Sequence, residues 1–282
     1  MKESLLYKKL NKKYVQCNTC CHACVIAPEK KGICGVRENI HGNLYVLNYG
    51  KIITAQIDPI EKKPIYGFLP RTNTYSIATS GCNFKCLHCQ NAIISQNIDL
   101  DTPDIPPKEV VKNAIESNCP SISYTYTEPT IFLEYALETM RLAHVEKLKN
   151  IWVSNGYFSD QTFKLILPYL DAINIDLKSF SDNFYRKICG AKLQPVLDNL
   201  IKIYQSKIYL EITTLIIPGK NNDLKNLKQI AEFIKNKLGP EVHWHVTKFY
   251  PTYKMLNVSP ALESDIDQAV KIGRQIGLKN IF

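Results

Sequence analysis

The sequence predicts an α/β fold, a partial TIM-like (β/α)6 barrel preceded by a cysteine-rich segment with a β-hairpin. Apolar strand patterns and helical patterns alternate six times from Thr74 onward. Such alternation implies right-handed crossovers and a parallel sheet, and six units are too few for a closed eight-stranded barrel. An open, doubly wound sheet fits the same pattern. In both architectures ligands collect at the carboxyl ends of the strands.

The predicted strands are short apolar runs that cover residues 75–79, 121–126, 151–154, 172–177, 208–217 and 242–249. The predicted helices cover residues 107–117, 130–147, 160–170, 195–204 and 224–238, and a last helix follows Ser259-Pro260. Apolar residues recur at helical spacing in these segments, as Val110, Val111 and Ala114 do in the first, so one face of each helix can pack on the sheet.

Two regions are expected along the chain. Residues 1–73 form a cysteine-rich amino-terminal extension, and residues 74–282 form the barrel. Within the extension, residues 44–47 and 52–57 are predicted as two strands around Asn48-Tyr49-Gly50, which is a hairpin signal.

Composition narrows the class of protein. The chain has 282 residues, 45% of them hydrophobic, enough for a large core. Its 35 Lys and Arg against 26 Asp and Glu give a net charge of +9, but no dense basic run occurs, so nucleic-acid binding is not expected. No apolar stretch matches a signal peptide or a membrane span, which favours a cytoplasmic protein without a membrane partner. In that reducing compartment ten cysteines indicate metal or redox chemistry rather than disulfides.

The loop after the first barrel strand carries three thiols, Cys82, Cys86 and Cys89, in C-x3-C-x2-C spacing. A closed zinc site needs four ligands, whereas three thiolates on a [4Fe–4S] cluster leave one iron open to a chelating ligand. The motif therefore favours a cluster with an open position. A zinc loop completed by His88 or a distant histidine is the alternative.

This motif and its position resemble the radical S-adenosylmethionine superfamily, and the resemblance spans residues 74–253. It implies that the open iron binds S-adenosylmethionine and that one electron cleaves the S–C5′ bond, giving methionine and a 5′-deoxyadenosyl radical. His88 departs from the family pattern, which usually has an aromatic ring there, near adenine. More narrowly, the loop resembles that of the glycyl-radical-enzyme activases, and among them the radical enzyme of the AmmeMemoRadiSam system. The narrower likeness rests on residues 32–39, 58–64, 126–130, 249–251 and 253–255.

Glu128, at the end of the second strand, is a candidate for binding the cofactor. The resemblance implies that its carboxylate receives the cofactor's ammonium group, although Tyr126 and Thr127 replace the family's two glycines. A helix-start role beside Pro129, favoured by the helix dipole, is the alternative.

Three further strands supply candidates. Asp176 and Lys178 follow an apolar strand and face the same side, and the resemblance implies that this Asp-x-Lys pair contacts S-adenosylmethionine. A structural ion pair is the alternative. Asn155 could hydrogen-bond the ribose or carboxylate of the cofactor, or form a turn before Gly156. His245 is a candidate cofactor or substrate contact, or a hydrogen-bonded core residue.

A second group of cysteines lies in the extension. Cys17, Cys20, Cys24 and Cys34 have C-x2-C-x3-C-x9-C spacing, a metal-site candidate. Zinc would make a structural knot, and a second iron–sulfur cluster could relay electrons. Cysteines without metal are the third interpretation, and Cys21 could replace one of the ligands.

The leading hypothesis is a radical S-adenosylmethionine enzyme, similar to the pyruvate formate-lyase activating enzyme, that abstracts hydrogen from a protein or a small molecule. The resemblance implies an electron donor such as flavodoxin or ferredoxin. Radical modification of a nucleotide or peptide is one alternative, and a non-catalytic zinc-binding module is the other.

Overall fold

The computed structural model describes all 282 residues of the chain. Its strands are β1 (Lys2–Glu3), β2 (Tyr7–Lys9), β3 (Val15–Cys17), β4 (Val25–Ile26), β5 (Arg37–Ile40), β6 (Asn43–Val46), β7 (Ile52–Pro59), β8 (Asn73–Thr79), β9 (Ser121–Tyr124), β10 (Lys149–Ser154), β11 (Ala172–Asp176), β12 (Tyr209–Ile216) and β13 (His243–Lys248). Its α-helices are α1 (Ala92–Ser95), α2 (Pro107–Glu116), α3 (Leu133–Val145), α4 (Asp160–Ile166), α5 (Asp182–Phe184), α6 (Gln194–Gln205), α7 (Leu224–Phe233) and α8 (Glu263–Ile276).

The main sheet has seven strands in the order β13-β12-β11-β10-β9-β8-β7. Strands β8 to β13 are parallel and follow one another in the chain, with helices between them. The outer strands, β7 and β13, do not pair with each other, so the sheet stays open. The predicted partial barrel of six βα units is confirmed.

The helices pack on the sheet through the apolar faces that the sequence pattern predicts. In α2, Pro107 occupies the first turn, where its missing N–H costs no hydrogen bond, and Val110, Val111 and Ala114 are buried. These side chains join one core cluster of 54 buried residues that includes every barrel strand's apolar face. Burial of each such valine contributes about 1.5–3 kcal/mol. No helix of the chain is both long enough and apolar enough to cross a membrane.

The helix limits differ from the prediction at several places. A 3₁₀ turn, Pro129–Phe132, precedes α3, because the Glu128 carboxylate caps the Thr130 N–H at its start. Helix α8 begins at Glu263, after Ser259-Pro260. The short helices α1 and α5, and the π-helical turn Tyr185–Cys189 that continues α5, were not predicted.

The two strands predicted for the amino-terminal hairpin exist as β6 and β7, but they do not pair with each other. Strand β6 pairs with β5 and β1, whereas β7 pairs antiparallel with β8 in the main sheet. The Asn48 side chain donates hydrogen bonds to Thr79 Oγ1 at 2.8 Å and to the Ser80 carbonyl at 3.2 Å. It thereby anchors the turn 48–50 to the barrel, and the chain passes from the small sheet to the large one. The division of the chain at residue 73 stays a prediction.

The connector between β7 and β8 runs against the inside of the barrel. Pro64 offers its carbonyl to the Asn174 side chain at 2.7 Å, and the backbone N–H groups of Tyr66 and Gly67 both donate to Glu211 Oε1 at 2.8 Å. Burial would raise the pKa of Glu211, but hydrogen bonds from His243, His245 and the connector hold that pKa well below its usual range. The connector is therefore held by a charged carboxylate in the barrel interior.

Candidate active site

The cluster loop, residues 80–91, has at its second position a glycine that the structure requires. Gly81 has φ +106°, a conformation that other residues rarely adopt. A Cβ atom there would lie 2.9 Å from Val36 Cγ1 and 3.0 Å from the Cys34 carbonyl oxygen. The missing side chain lets the amino-terminal segment pack directly against the loop.

The three predicted thiols line one large cavity at the carboxyl ends of the parallel strands. The predicted residues Glu128, Asn155, Asp176 and Lys178 line the same cavity. These side chains lie at the carboxyl end of β11 or in the segments just after β8, β9, β10 and β11. The parallel sheet brings these strand ends to one edge.

The thiols suit a cluster better than a single ion. The sulfur atoms of Cys82, Cys86 and Cys89 do not all lie within 4.8 Å of one another. The group of potential metal ligands that does is Cys86 with His88 and Cys189. Tetrahedral zinc with Zn–S distances of ~2.3 Å would hold its sulfur ligands about 3.8 Å apart. An iron–sulfur cluster places its own irons and sulfides between the thiolates, so the wider spacing and the set of three thiols fit a [4Fe–4S] cluster with one open iron.

The protein environment keeps the metal-free thiols protonated. Burial raises the pKa of Cys82 and of Cys89, and a hydrogen bond with Cys189 together with burial raises that of Cys86. Ligation therefore has to displace their protons, as metal binding generally does.

Glu128 lies in the cavity wall with its carboxylate held by several donors. Ser154 Oγ and the Asn155 N–H donate to it at 2.8 Å each, and the Thr130 N–H donates at 3.1 Å. Burial raises the pKa of Glu128, and these hydrogen bonds oppose the rise. Glu128 therefore caps the helical turn that follows it, as the alternative interpretation expects, and the residue also borders the cavity.

Asp176 and Lys178 form an ion pair at the end of β11, with Lys178 Nζ 2.9 Å from Asp176 Oδ2. Burial would lower the pKa of Lys178, but the Asp176 carboxylate raises it, so the ammonium stays charged. The side chain of Asp176 is 37% exposed and that of Lys178 is 14% exposed, so both groups reach a ligand in the cavity.

The two remaining candidates lie in different places. Asn155 Nδ2 donates to Asn83 Oδ1 at 2.7 Å, which ties the end of β10 to the cluster loop. His245 is buried, bonds Glu211 and packs edge-on against Tyr66, and it does not line the cavity. Asn155 therefore lies at the loop that carries the thiols, whereas His245 contacts Glu211 and the connector between β7 and β8.

Sequence reasoning missed several side chains of this site. Cys189 is buried beside Cys86 and His88, and the Lys85 N–H donates to its carbonyl at 2.8 Å. Lys63 also lines the cavity and pairs with Asp58 at 2.6 Å. Lys63 lies in residues 58–64, which carry part of the narrower family resemblance. Nothing in the sequence pointed to Cys189.

An open parallel barrel with three thiols and charged side chains at the carboxyl ends of its strands is the arrangement expected of an iron–sulfur enzyme of the radical type. The chain belongs to the Radical SAM superfamily, whose family model matches residues 76–234. The family implies a [4Fe–4S] cluster and S-adenosylmethionine as cofactors, so the expected class of enzyme is confirmed.

Relatives extend the match beyond the family model. An uncharacterised protein of Methanocaldococcus jannaschii is 41% identical over 284 residues, which cover 100% of this chain and 84% of the relative. A putative glycyl-radical enzyme activating enzyme of the same organism is 28% identical over 214 residues, covering 72% of this chain and 76% of the relative. The crystal structure of a radical SAM methyltransferase from Sphaerobacter thermophilus has a TM-score of 0.57 at 13% identity, covering 74% of this chain and 65% of that one, and it shows the shared fold.

Proposed function

We propose that this protein is an activating-enzyme-like radical oxidoreductase that abstracts a hydrogen atom from a protein or a small molecule. The observation that carries the proposal is the single cavity that joins Cys82, Cys86 and Cys89 to Glu128 and to the Asp176–Lys178 pair. Similarity to a putative glycyl-radical enzyme activating enzyme supports a protein as the substrate class.

The bound cluster would supply one electron to S-adenosylmethionine, whose S–C5′ bond then breaks to give methionine and a 5′-deoxyadenosyl radical. The protein's part is to bind and orient the cofactor. The Glu128 carboxylate, fixed by backbone and hydroxyl donors, offers an anion to the cofactor's ammonium group. Lys178 offers a positive point charge to the cofactor's carboxylate group, and Asp176 keeps that lysine charged.

Other residues hold the loop that carries the thiols. Asn155 bonds Asn83 in the loop, and the Leu87 N–H donates to the Ile188 carbonyl at 2.9 Å. These contacts limit the movement of the thiols relative to the cofactor-binding side chains. A low-potential one-electron donor of the flavodoxin or ferredoxin class is the proposed partner.

The test is formation of 5′-deoxyadenosine and methionine by anaerobic, reconstituted protein with dithionite. The wild type should form both in equal amounts, and the Cys82→Ala, Cys86→Ala, Cys89→Ala triple variant should form neither. Cys119→Ala is the matched control, because this buried thiol lies outside the cavity. Equal activity in the wild type and the triple variant would overturn the proposal.

A further inference from the structure

A second cavity lies between the amino-terminal segment and the cluster loop. Cys17, Cys20, Cys24 and Cys34 all line it. The fifth cysteine of the segment, Cys21, points elsewhere: its thiol lies 3.1 Å from the Phe158 carbonyl and outside this cavity. The fold thus places four of the segment's five thiols at this cavity.

Local structure brings these four thiols together. Strand β3 ends at Cys17, whose N–H donates to the Cys24 carbonyl at 2.9 Å, just before β4. The chain returns through Gly32, where a Cβ atom would lie 3.2 Å from Ile26 Cδ1 and 3.8 Å from the Cys24 sulfur. Cys34 then lies in a turn closed by the Gly35 N–H on the Gly32 carbonyl at 2.9 Å. These backbone contacts hold the four cysteines around one space.

The spacing of the thiols argues against a single ion. No three of the four sulfur atoms lie within 4.8 Å of one another. Tetrahedral zinc with ~2.3 Å bonds would require separations of about 3.8 Å. In this respect the four thiols resemble the Cys82, Cys86 and Cys89 set, whose sulfur atoms also lie too far apart for such a site.

Two buried donors on the cavity wall have no acceptor within the protein. Arg37 is 2% exposed; its terminal nitrogens bond Glu134 and Ser4, and its Nε has no partner. Asn83 is 1% exposed, and its Nδ2 also has no partner. Buried donors are normally satisfied, so an acceptor belongs in this cavity. The sulfides and thiolates of an anionic cluster are such acceptors.

We propose that Cys17, Cys20, Cys24 and Cys34 ligate a second iron–sulfur cluster, separate from the catalytic one. Its position follows from Asn83, which borders this cavity, while its neighbours Cys82 and Phe84 border the catalytic cavity. A one-electron redox group would therefore lie beside the site of the proposed radical chemistry. The binding site itself does not rest on that proposed function.

The test is metal analysis of the full-length Cys82→Ala, Cys86→Ala, Cys89→Ala variant, reconstituted anaerobically with ferrous iron and sulfide. About two to four irons per chain, with an electron paramagnetic resonance signal after dithionite reduction, are expected. Further replacement of Cys17, Cys20, Cys24 and Cys34 by alanine should abolish both. Adding Cys21→Ala or Cys119→Ala to the triple variant should change neither, since these thiols lie outside the cavity.

About one zinc per chain in place of iron, or folded protein with neither metal, would overturn the inference. If the triple variant does not fold, the wild type decides: about six to eight irons per chain support a second cluster, and about four contradict it. Because formation of 5′-deoxyadenosine is not the readout, failure of this inference leaves the proposed function intact.

Discussion

The thiol of Cys189 lies within 4.8 Å of the thiol of Cys86, yet only Cys86 lines the catalytic cavity. The two residues come together because the π-helical turn Tyr185–Cys189 hydrogen-bonds the cluster loop through its last two carbonyls. A fourth thiol therefore lies next to the three of the motif. Because Cys189 does not line the cavity that the three motif thiols share, we expect it not to ligate iron.

We predict that Cys189→Ser retains the catalytic cluster and that Cys86→Ser loses it. The serine keeps the size and a hydrogen-bonding group beside Cys86, so the loop should keep its conformation. The measurement is iron content and cluster absorbance of each variant after anaerobic reconstitution. Equal loss of iron from both variants would identify Cys189 as a ligand and contradict the assigned set.

Glu128→Gln and Asp176→Asn should each weaken the binding of S-adenosylmethionine without removing the cluster. Glu128→Gln loses the charge-assisted interaction with the cofactor's ammonium group, and Asp176→Asn loses the ion pair that holds Lys178 charged for the cofactor's carboxylate. A charge-assisted interaction of about 1.5–3 kcal/mol corresponds to roughly tenfold to more than a hundredfold in affinity. Calorimetric titration of the reconstituted protein measures this. Glu146→Gln is the control, because Glu146 is exposed and lies outside the cavity. Unchanged affinity in both site variants would show that these carboxylates do not bind the cofactor.

The sequence predicts those features of the fold and site that depend on residues close to one another along the chain. The alternating patterns locate all six parallel strands, and because parallel strands end at one edge, they also bring Glu128 and Asp176 to the thiols. The rest depends on contacts between distant segments. Strand β7 finds its partner in β8 rather than in β6, and the buried pair of Arg37 and Glu134 joins residues 97 positions apart. No local pattern encodes such partners.

A buried ion pair gives the protein a stability that depends on pH. Burial would raise the pKa of Asp58, but hydrogen bonds from Lys62, Lys63 and Tyr126 hold that pKa well below its usual range. A carboxyl group whose pKa is depressed by folding stabilises the folded state above its unfolded pKa of about 3.9, and this stabilisation is lost as the pH falls toward the folded value.

We therefore predict that Asp58→Asn lowers the free energy of unfolding at pH 7 by about 3–5 kcal/mol, because Lys63 is left buried without its partner. Between pH 4 and pH 2 the difference between wild type and variant should shrink, because the Asp58 carboxyl group takes up a proton in the unfolded state at these pH values while the folded state still keeps it ionised. Urea unfolding across this pH range measures both effects. A difference that is independent of pH would mean that the pair is not ionised in the folded protein.

Gly81→Ala should destabilise the protein more than Gly219→Ala, although both glycines have positive φ values, +106° and +68°. At Gly219 a Cβ atom would have no neighbour within 4 Å, so alanine there bears only the backbone strain, about 1–2 kcal/mol. At Gly81 the same atom would also meet Val36 and the Cys34 carbonyl at 2.9 and 3.0 Å. This crowding should add about 1–3 kcal/mol and push the amino-terminal segment away from the cluster loop. Chemical unfolding of the two variants gives the difference in stability, and iron analysis of the same samples shows whether Gly81→Ala also reduces metal binding. Equal destabilisation by both substitutions would show that the close approach of Cys34 to Gly81 is not required by the folded protein.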